Sequence, residues 1–338
     1  MGESVTCLES FGHYLASGAK NGRIVVLDIV RAERVATLEL QEKANVPSVT
    51  CLKAFGDCLS SGYSNGLIKL WDNGSREIGE LRCHSQSVSS MAIFQEFLAS
   101  GSLDHTVVLW NLESKDPVKV FQGHTNQVMC VEVAGNYIAS GSVDKSVRLW
   151  SPDSDEAVAV LQEHTNSVEC LKFTGEYLAS GSRDKNVILW NLQTMQKEAV
   201  LEGHTNRVSC LEIVGGKLAS ASWDKTIIIW DLESKQKIQT LTDHTKAVKS
   251  LLVVGDRLAS GSADCTVKVW DQEQWQAQEL PAKHEKAVTC LAVVKNTQGQ
   301  DYIGSGSLDG KLRFWNPESG ETPIVIDGSV NTSTHDGN

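Results

Sequence analysis

Between residues 124 and 163 the chain alternates short apolar runs with polar turns. Val128, Cys130, Val131 and Val133 mark a mostly buried strand over 128–133. A second strand is predicted over 137–141, followed by a turn around Val143-Asp144-Lys145. A third, rich in β-branched residues, covers 146–150, and a polar loop containing Pro152 covers 151–155. The fourth, over 157–161, alternates more and is expected to be more exposed, and at His164 the pattern begins again. Four short strands joined by tight turns make one antiparallel sheet. Such a sheet cannot bury both faces alone, so copies stacked in a ring must supply the core.

The copies are visible as a tryptophan period. Trp71, Trp110, Trp150, Trp190, Trp230, Trp270 and Trp315 follow one another at gaps of 39, 40, 40, 40, 40 and 45 residues, and Leu27 holds the same frame 44 residues before Trp71. The expected fold is therefore all-β: an eight-bladed propeller with four antiparallel strands per blade over 1–327 and a disordered tail over 328–338. At 338 residues two domains would be the ordinary guess, but the unbroken repeat overrides it. A seven-bladed ring is the alternative, and it would leave one unit's apolar strands unpaired. Unit one starts directly with an inner strand over 4–8, and unit eight supplies its own outer strand around 323–326. The ring is thus expected to close without an interlocking strand, its seam resting on packing alone.

Asn21-Gly22, Asn65-Gly66 and Asp309-Gly310 are hairpin turns by composition, because Gly and Asn tolerate positive φ. Elsewhere the turn is Asp followed by Lys, His or Cys, as in Asp184-Lys185. With the Gly-His pairs Gly123-His124 and Gly203-His204 and the Trp-Asp pairs Trp71-Asp72, Trp230-Asp231 and Trp270-Asp271, the chain resembles the WD40-repeat family from residue 4 to about 326. In repeat style it is similar to the eight-bladed propellers of F-box substrate receptors. No F-box is read before Ser4, so a role in ubiquitination is expected to need another subunit to recruit the ligase. No N-terminal helix like that of a G-protein β subunit is read in this sequence, so that role is not expected.

Six units carry His, Ser, Asp and Trp at one spacing: His84/Ser100/Asp104/Trp110, His124/Ser140/Asp144/Trp150, His164/Ser180/Asp184/Trp190, His204/Ser220/Asp224/Trp230, His244/Ser260/Asp264/Trp270 and His284/Ser305/Asp309/Trp315. A Ser-His-Asp set invites a hydrolase reading. A catalytic triad is needed once, however, and six copies point to a structural task. A buried indole N–H needs an acceptor; Ser can accept it, His can contact Ser, and Asp can fix the His tautomer. This matches the structural tetrad that the family resemblance implies. Units one and two depart from the pattern, with Asn21 and Asn65 for Asp, Asn45 for the second His, and Leu27 for the first Trp. These two blades are expected to be less stable.

Bulk properties narrow the function. The net charge of −11 argues against nucleic acid and anionic membranes as partners. No apolar run approaches the roughly 20 residues of a membrane span. No signal peptide is read at the N-terminus. Met1–Thr6 fits the loose myristoylation pattern, but Val5, Cys7 and Leu8 already read as buried strand, leaving Gly2 little spacer. Of nine cysteines, Cys7, Cys51, Cys130, Cys170, Cys210 and Cys290 share one repeat position and should act as small buried apolar groups. No CxxC pair exists, and His13, His105 and His335 lack ligand spacing, so no metal or other cofactor is expected. This cysteine usage fits a reducing compartment, cytoplasmic with the nucleus as the alternative. The sequons at Asn73 and Asn331 are then chance matches.

The resemblance also implies where a partner docks. Three positions per blade line the narrower top opening. Two flank the Val that opens each inner strand, and the third precedes the turn Asp. The first class is Ser4, Ser48, Ser87, Gln127, Ser167, Arg207, Ala247 and Ala287; the second is Thr6, Thr50, Ser89, Met129, Glu169, Ser209, Lys249 and Thr289; the third is Lys20, Ser64, Leu103, Val143, Arg183, Trp223, Ala263 and Leu308. Lys20, Arg183, Arg207 and Lys249 against Glu169 give this face a net +3 on an acidic chain. Trp223 stands where neighbouring units have Arg183 or Ala263, so the fold does not demand it, and Trp and Arg are enriched at binding hot spots. The expected site is Trp223, Arg183, Arg207 and Lys249 against an acidic or phosphorylated peptide, with Met129 and Val143 as an apolar shelf. The expected function is a non-enzymatic scaffold for protein or peptide partners, acting as a monomeric propeller within a complex and without a small-molecule substrate. The alternative is a structural subunit of a large assembly such as a ubiquitin ligase, ciliary, RNA-processing or coat complex.

Overall fold

The computed structural model describes residues 3–29, 31, 33–40, 45–73, 76–281, 283–295, 298–317 and 324–327. Among them, 32 strands form eight four-stranded sheets, each made of four consecutive strands paired in order. Blades one to eight span 5–38, 49–81, 88–121, 128–161, 168–201, 208–241, 248–279 and 288–327. The fold is the eight-bladed, four-strand antiparallel propeller that the period predicts, and no strand is exchanged between blades. The seven-bladed alternative is not favoured.

Blade four shows how the sequence builds the unit. Its strands are Val128–Ala134, Tyr137–Ser142, Val147–Trp150 and Ala159–Leu161. The second and third are buried along most of their length because each lies between two neighbouring blades. The fourth alternates half-buried, exposed and buried residues because it forms the outer edge of the ring. Ala157 and Val158 lie before that strand instead of within it, and Val158 N–H bonds to Leu149 O at 2.8 Å.

The core lies between blades, not within them. Trp150 and Ile138 of blade four pack with Val107, Leu109 and Phe121 of blade three. At the seam, Val5, Leu8, Leu15 and Leu27 meet Ala292, Val294, Leu312 and Phe314. Leu27, in the frame position of the tryptophans, is fully buried there. Gly306 shows how closely the seam blades approach: a Cβ on it would stand 2.5 Å from Val5 Cγ1. The expectation that packing alone closes the ring needs correction. Thr289 Oγ1 donates to Val5 O at 2.9 Å and Ser4 Oγ donates to Leu308 O at 3.4 Å, so hydrogen bonds also cross the seam.

Every inner strand carries a bulge at the same place. In blade one Val5 pairs with Ala19 but Cys7 pairs with Gly18, leaving Thr6 as the extra residue. The same shift leaves Thr50, Ser89, Met129, Glu169, Ser209, Lys249 and Thr289 unpaired in the other blades. A bulge re-aims the side chain of its extra residue. Thr6, Thr50, Ser89, Ser209 and Thr289 use this to place a hydroxyl 2.6–2.9 Å from the Val carbonyl that opens the next blade. The hydroxyl therefore acts as a clip between blades. Met129, Glu169 and Lys249 cannot form it with a hydroxyl.

The turn after the second strand is equally regular. His105, Lys145, Lys185, Lys225 and Cys265 have φ between 74° and 79°, and Gly22, Gly66 and Gly310 hold the same left-handed place. Two expectations, the tail over 328–338 and the part of the last outer strand at Pro323, lie outside the described residues, as do Gly2, Gly74, Ser75, the sequon at Asn331 and His335. The outer strand itself is described over Ile324–Asp327. The six cysteines of the shared position follow the bulge on the inner strand, and burial pushes each thiol pKa up, as expected of small buried groups, although each residue keeps some exposed surface.

Candidate functional site

The His, Ser, Asp and Trp of each unit converge at one end of the sheet. In blade four, Trp150 Nε1 donates to Ser140 Oγ at 2.8 Å, Ser140 Oγ lies 2.7 Å from His124 Nε2, and His124 Nδ1 lies 2.7 Å from Asp144 Oδ2. A neutral imidazole that gives its Nδ1 proton to Asp leaves Nε2 to accept from Ser, so one directed chain runs from indole to carboxylate. Blades three, five, six and seven repeat it, with His–Asp contacts of 2.7–3.0 Å and His–Ser contacts of 2.8 Å. In these blades Ser100, Ser180, Ser220 and Ser260 accept the indole N–H of Trp110, Trp190, Trp230 and Trp270, each at 2.8 Å. Asp144 Oδ1 also accepts from Ser146 Oγ and Ser146 N, which braces the turn. Burial opposes the Asp144 charge, but the bonds from His124 and Ser146 hold its carboxyl well below the usual range.

The serines lie where a structural task would put them. Ser100, Ser180, Ser220 and Ser260 have no exposed surface, and neither do Ser140 and Ser305. Each lies in the second strand of its blade, which the neighbouring blades cover on both faces. These hydroxyls belong to the core and not to a binding surface. Ser100, Ser180 and Ser220 face a further acceptor across the sheet, the carbonyls of Val108, Ile188 and Ile228, at 3.4–3.5 Å.

Blade eight departs from the expected set. His284 meets Ser305 at 2.7 Å and Asp309 at 2.9 Å, but Trp315 Nε1 donates to Pro281 O at 2.9 Å instead of to Ser305. Four positions separate Leu280 from His284, where three separate Leu161 from His164, and the added residue leaves the Pro281 carbonyl within reach of the indole. Blade two keeps the Trp71–Ser61 bond at 2.8 Å although it has no His; fully buried Tyr63 stands beside Ser61. Asn21 and Asn65 replace Asp only as turn braces, accepting from Arg23 N at 3.1 Å and Leu67 N at 3.2 Å.

The three rim classes lie together for a backbone reason. In all eight blades the third-class N–H donates to the first-class carbonyl, at 2.8–3.1 Å, from Lys20 to Ser4 through Leu308 to Ala287. This bond sets Trp223 beside Arg207 (3.0 Å) and Arg183 beside Ser167 (2.9 Å). The Arg207 guanidinium then stacks on Trp223, its Cζ 3.4 Å from the ring centroid, and Trp223 remains 40% exposed. Arg183 Nε pairs with Glu169 Oε1 at 2.7 Å, and the same oxygen accepts from Ser167 Oγ at 2.9 Å. Burial lowers the Arg207 pKa; the Glu169 charge opposes that and the Arg183 charge adds to it, so the three charges sense one another across blades five and six.

Of the expected site residues, Trp223, Arg207, Arg183 and Glu169 therefore form one cluster. Met129 and Val143 are half-buried one blade away, and Lys249 is half-buried in blade seven; among the described residues no hydrogen bond or ion pair joins these three to the cluster. Leu103 is half-buried in blade three, and exposed Lys20 belongs to blade one, diametrically opposite blade five. Sequence reasoning missed Ser167 as the residue that holds Glu169. It also missed the bulge, for which the signal was present: five of eight second-class positions are Ser or Thr. Among the described residues no group of three or more His, Cys, Asp or Glu is placed to hold a metal ion, and no helix is long and apolar enough to cross a membrane.

Comparison with known proteins places this geometry. A family model described as the TEP-1 second beta-propeller matches residues 95–318, and one described as the WD domain, G-beta repeat matches 75–111. Mitochondrial division protein 1 of Schizosaccharomyces pombe is 48% identical over 48 residues, which are 14% of this chain and only 7% of that relative's length. The crystal structure of the computationally designed Ika8 protein is similar with a TM-score of 0.84 at 25% identity, covering 94% of this chain and 97% of that one. WD40 propellers are generally non-enzymatic and generally serve as scaffolds for protein interaction. On the repeat, the ring and the matched models, the chain belongs to the WD40-repeat β-propeller family.

Proposed function

We propose that this propeller is a cytoplasmic, non-enzymatic adaptor that holds an acidic or phosphorylated segment of a partner protein on its top face, over blades five and six. The Arg207–Trp223 stack carries the reading. The planar guanidinium is held on the ring, and no protein acceptor takes its side-chain N–H groups among the described residues. A preorganised, unspent guanidinium beside an exposed indole is what an anionic peptide would use. The loss of the clip hydroxyl at Met129, Glu169 and Lys249, in blades on either side of this stack, supports the same sector: the local rule of the repeat is broken where a surface has another task.

The test is affinity capture from cells with the wild-type protein and with Trp223→Ala combined with Arg207→Glu. Loss of a defined set of captured proteins is expected, and an unchanged set would remove the top face from consideration. One observation favours the second reading, a structural subunit of a large assembly: Val118, Val120, Val158 and Val160 are exposed on the outer strands of blades three and four or just before them. A lateral contact through those valines would survive the top-face variant and fail on Val118→Lys with Val160→Lys.

A further inference from the structure

We propose that Glu169 is a built-in counter-anion that sets the top-face site to bind the side-chain carboxylate of an acidic segment in preference to a phosphate. The inference rests on the adaptor reading above and specifies its ligand. Glu169 is the only acid among the twenty-four rim positions, and it replaces the clip hydroxyl that Ser209 supplies in the next blade. Its side chain is 15% exposed and fixed through Oε1 by Arg183 and by buried Ser167. It is therefore not a swinging surface group that a ligand can push aside at no cost.

Its position divides the two arginines. Arg183 has its Nε committed to Glu169, while Arg207 has its face on Trp223 and its donors unspent. Two guanidinium groups and one carboxylate leave a single net positive charge, presented by one guanidinium. A carboxylate matches that charge and can accept two parallel N–H bonds from a guanidinium edge. A phosphoserine carries about −1.5 to −2 at pH 7 and would bring its extra charge beside the held Glu169 carboxylate. Like charges juxtaposed at an interface select against the wrong partner. The uncovered part of Trp223 is left to an apolar neighbour of the acidic residue.

The experiment uses the purified full chain and four immobilised pools of N-acetylated, C-amidated peptides. The pools are degenerate except for a central Glu, Gln, Ser or phosphoserine, so that no terminal charge contributes. The wild type is expected to retain the Glu pool over the Gln and phosphoserine pools. Glu169→Gln, which keeps the shape, and Glu169→Ser, which restores the residue of the next blade, should each move the phosphoserine-to-Glu ratio up by about tenfold. Circular dichroism and melting temperature of both variants confirm that they fold. A wild-type preference for phosphoserine, or an unchanged ratio in both folded variants, overturns the role of Glu169 while leaving the adaptor reading standing. Equal retention of all four pools, or retention untouched by Arg207→Glu with Trp223→Ala, overturns both.

Discussion

Thr289 Oγ1 lies 2.9 Å from Val5 O and 3.1 Å from Gly306 O, tying the first strand of the last blade to the first strand of the chain across 284 positions. It is the same clip that Thr6, Thr50, Ser89 and Ser209 form between sequential neighbours, used here at the one junction where the chain itself supplies no connection. A hydrogen bond of this kind contributes about 0.5–1.5 kcal/mol net. Thr289→Val, which keeps the shape and removes the donor, should lower stability by about 1 kcal/mol, or roughly 1–2 °C in melting temperature for a chain of this size. Thr289→Ser should restore it. Equal melting of the Val and Ser variants would show that the seam does not depend on the hydroxyl.

The tetrads make stability fall in acid. Asp144 holds its proton less tightly in the folded chain than in the unfolded one, where the carboxyl titrates near about 3.9. Its contribution is therefore complete above about pH 4 and is lost as the pH falls further. His284 works in the same direction over a higher range. Burial lowers its pKa despite the opposing Asp309 charge, so its contribution is present above about pH 6.5 and erodes below. Asp144→Asn should cost about 2–3 kcal/mol at pH 7, since charged hydrogen bonds are the stronger ones, and the gap to wild type should narrow below pH 4. Melting curves of both proteins at pH 7 and pH 3.5 test this; a constant gap would mean that the Asp144 charge is not what the tetrad uses.

The ring was legible because its information is redundant. The Trp frame recurs in seven units, and the turn Asp and the His before the inner strand in six, so eight noisy copies specify one blade. What repeats only as a class of residue was harder to see. The bulge needs a register shift between paired strands, and no single strand announces it; Ser or Thr at five second-class positions was its trace. The Arg207–Trp223 stack was half legible. Trp223 stood out as a departure from the repeat and Arg207 as a rim charge, but their contact follows from the Trp223 N–H bond to Arg207 O, a tertiary fact. Trp315 was misassigned because its acceptor, Pro281, lies in a loop whose one-residue difference in length the six-fold pattern conceals.

The left-handed turn residues offer a stabilising change. Lys185 is exposed at φ 79°, whereas Gly310 occupies the equivalent place at φ 80°. A side chain in this region costs about 1–2 kcal/mol, and glycine loses about 0.5–1 kcal/mol of chain entropy on folding. Lys185→Gly should therefore gain about 0.5–1 kcal/mol, measured as a higher denaturation midpoint. A lower midpoint would mean that the lysine stem is held by the surface more firmly than the turn strains it.

Met129 separates stability from binding. It is the bulge residue of blade four, in the place where a hydroxyl would reach the carbonyls of Gly141 and Val168, as Thr6 reaches those of Gly18 and Val49. Half-buried Met129 offers no such donor, so Met129→Thr should raise stability by about 1 kcal/mol by restoring the clip. Met129→Ala, which removes the thioether without adding a donor, should not. If Met129 is retained as part of a partner's apolar shelf, the same Thr variant should also capture less of that partner, the usual exchange between stability and function. A Thr variant that melts no higher than the Ala variant would mean that the bulge of blade four cannot present its side chain to the next blade, and the clip would then be a property of the other blades alone.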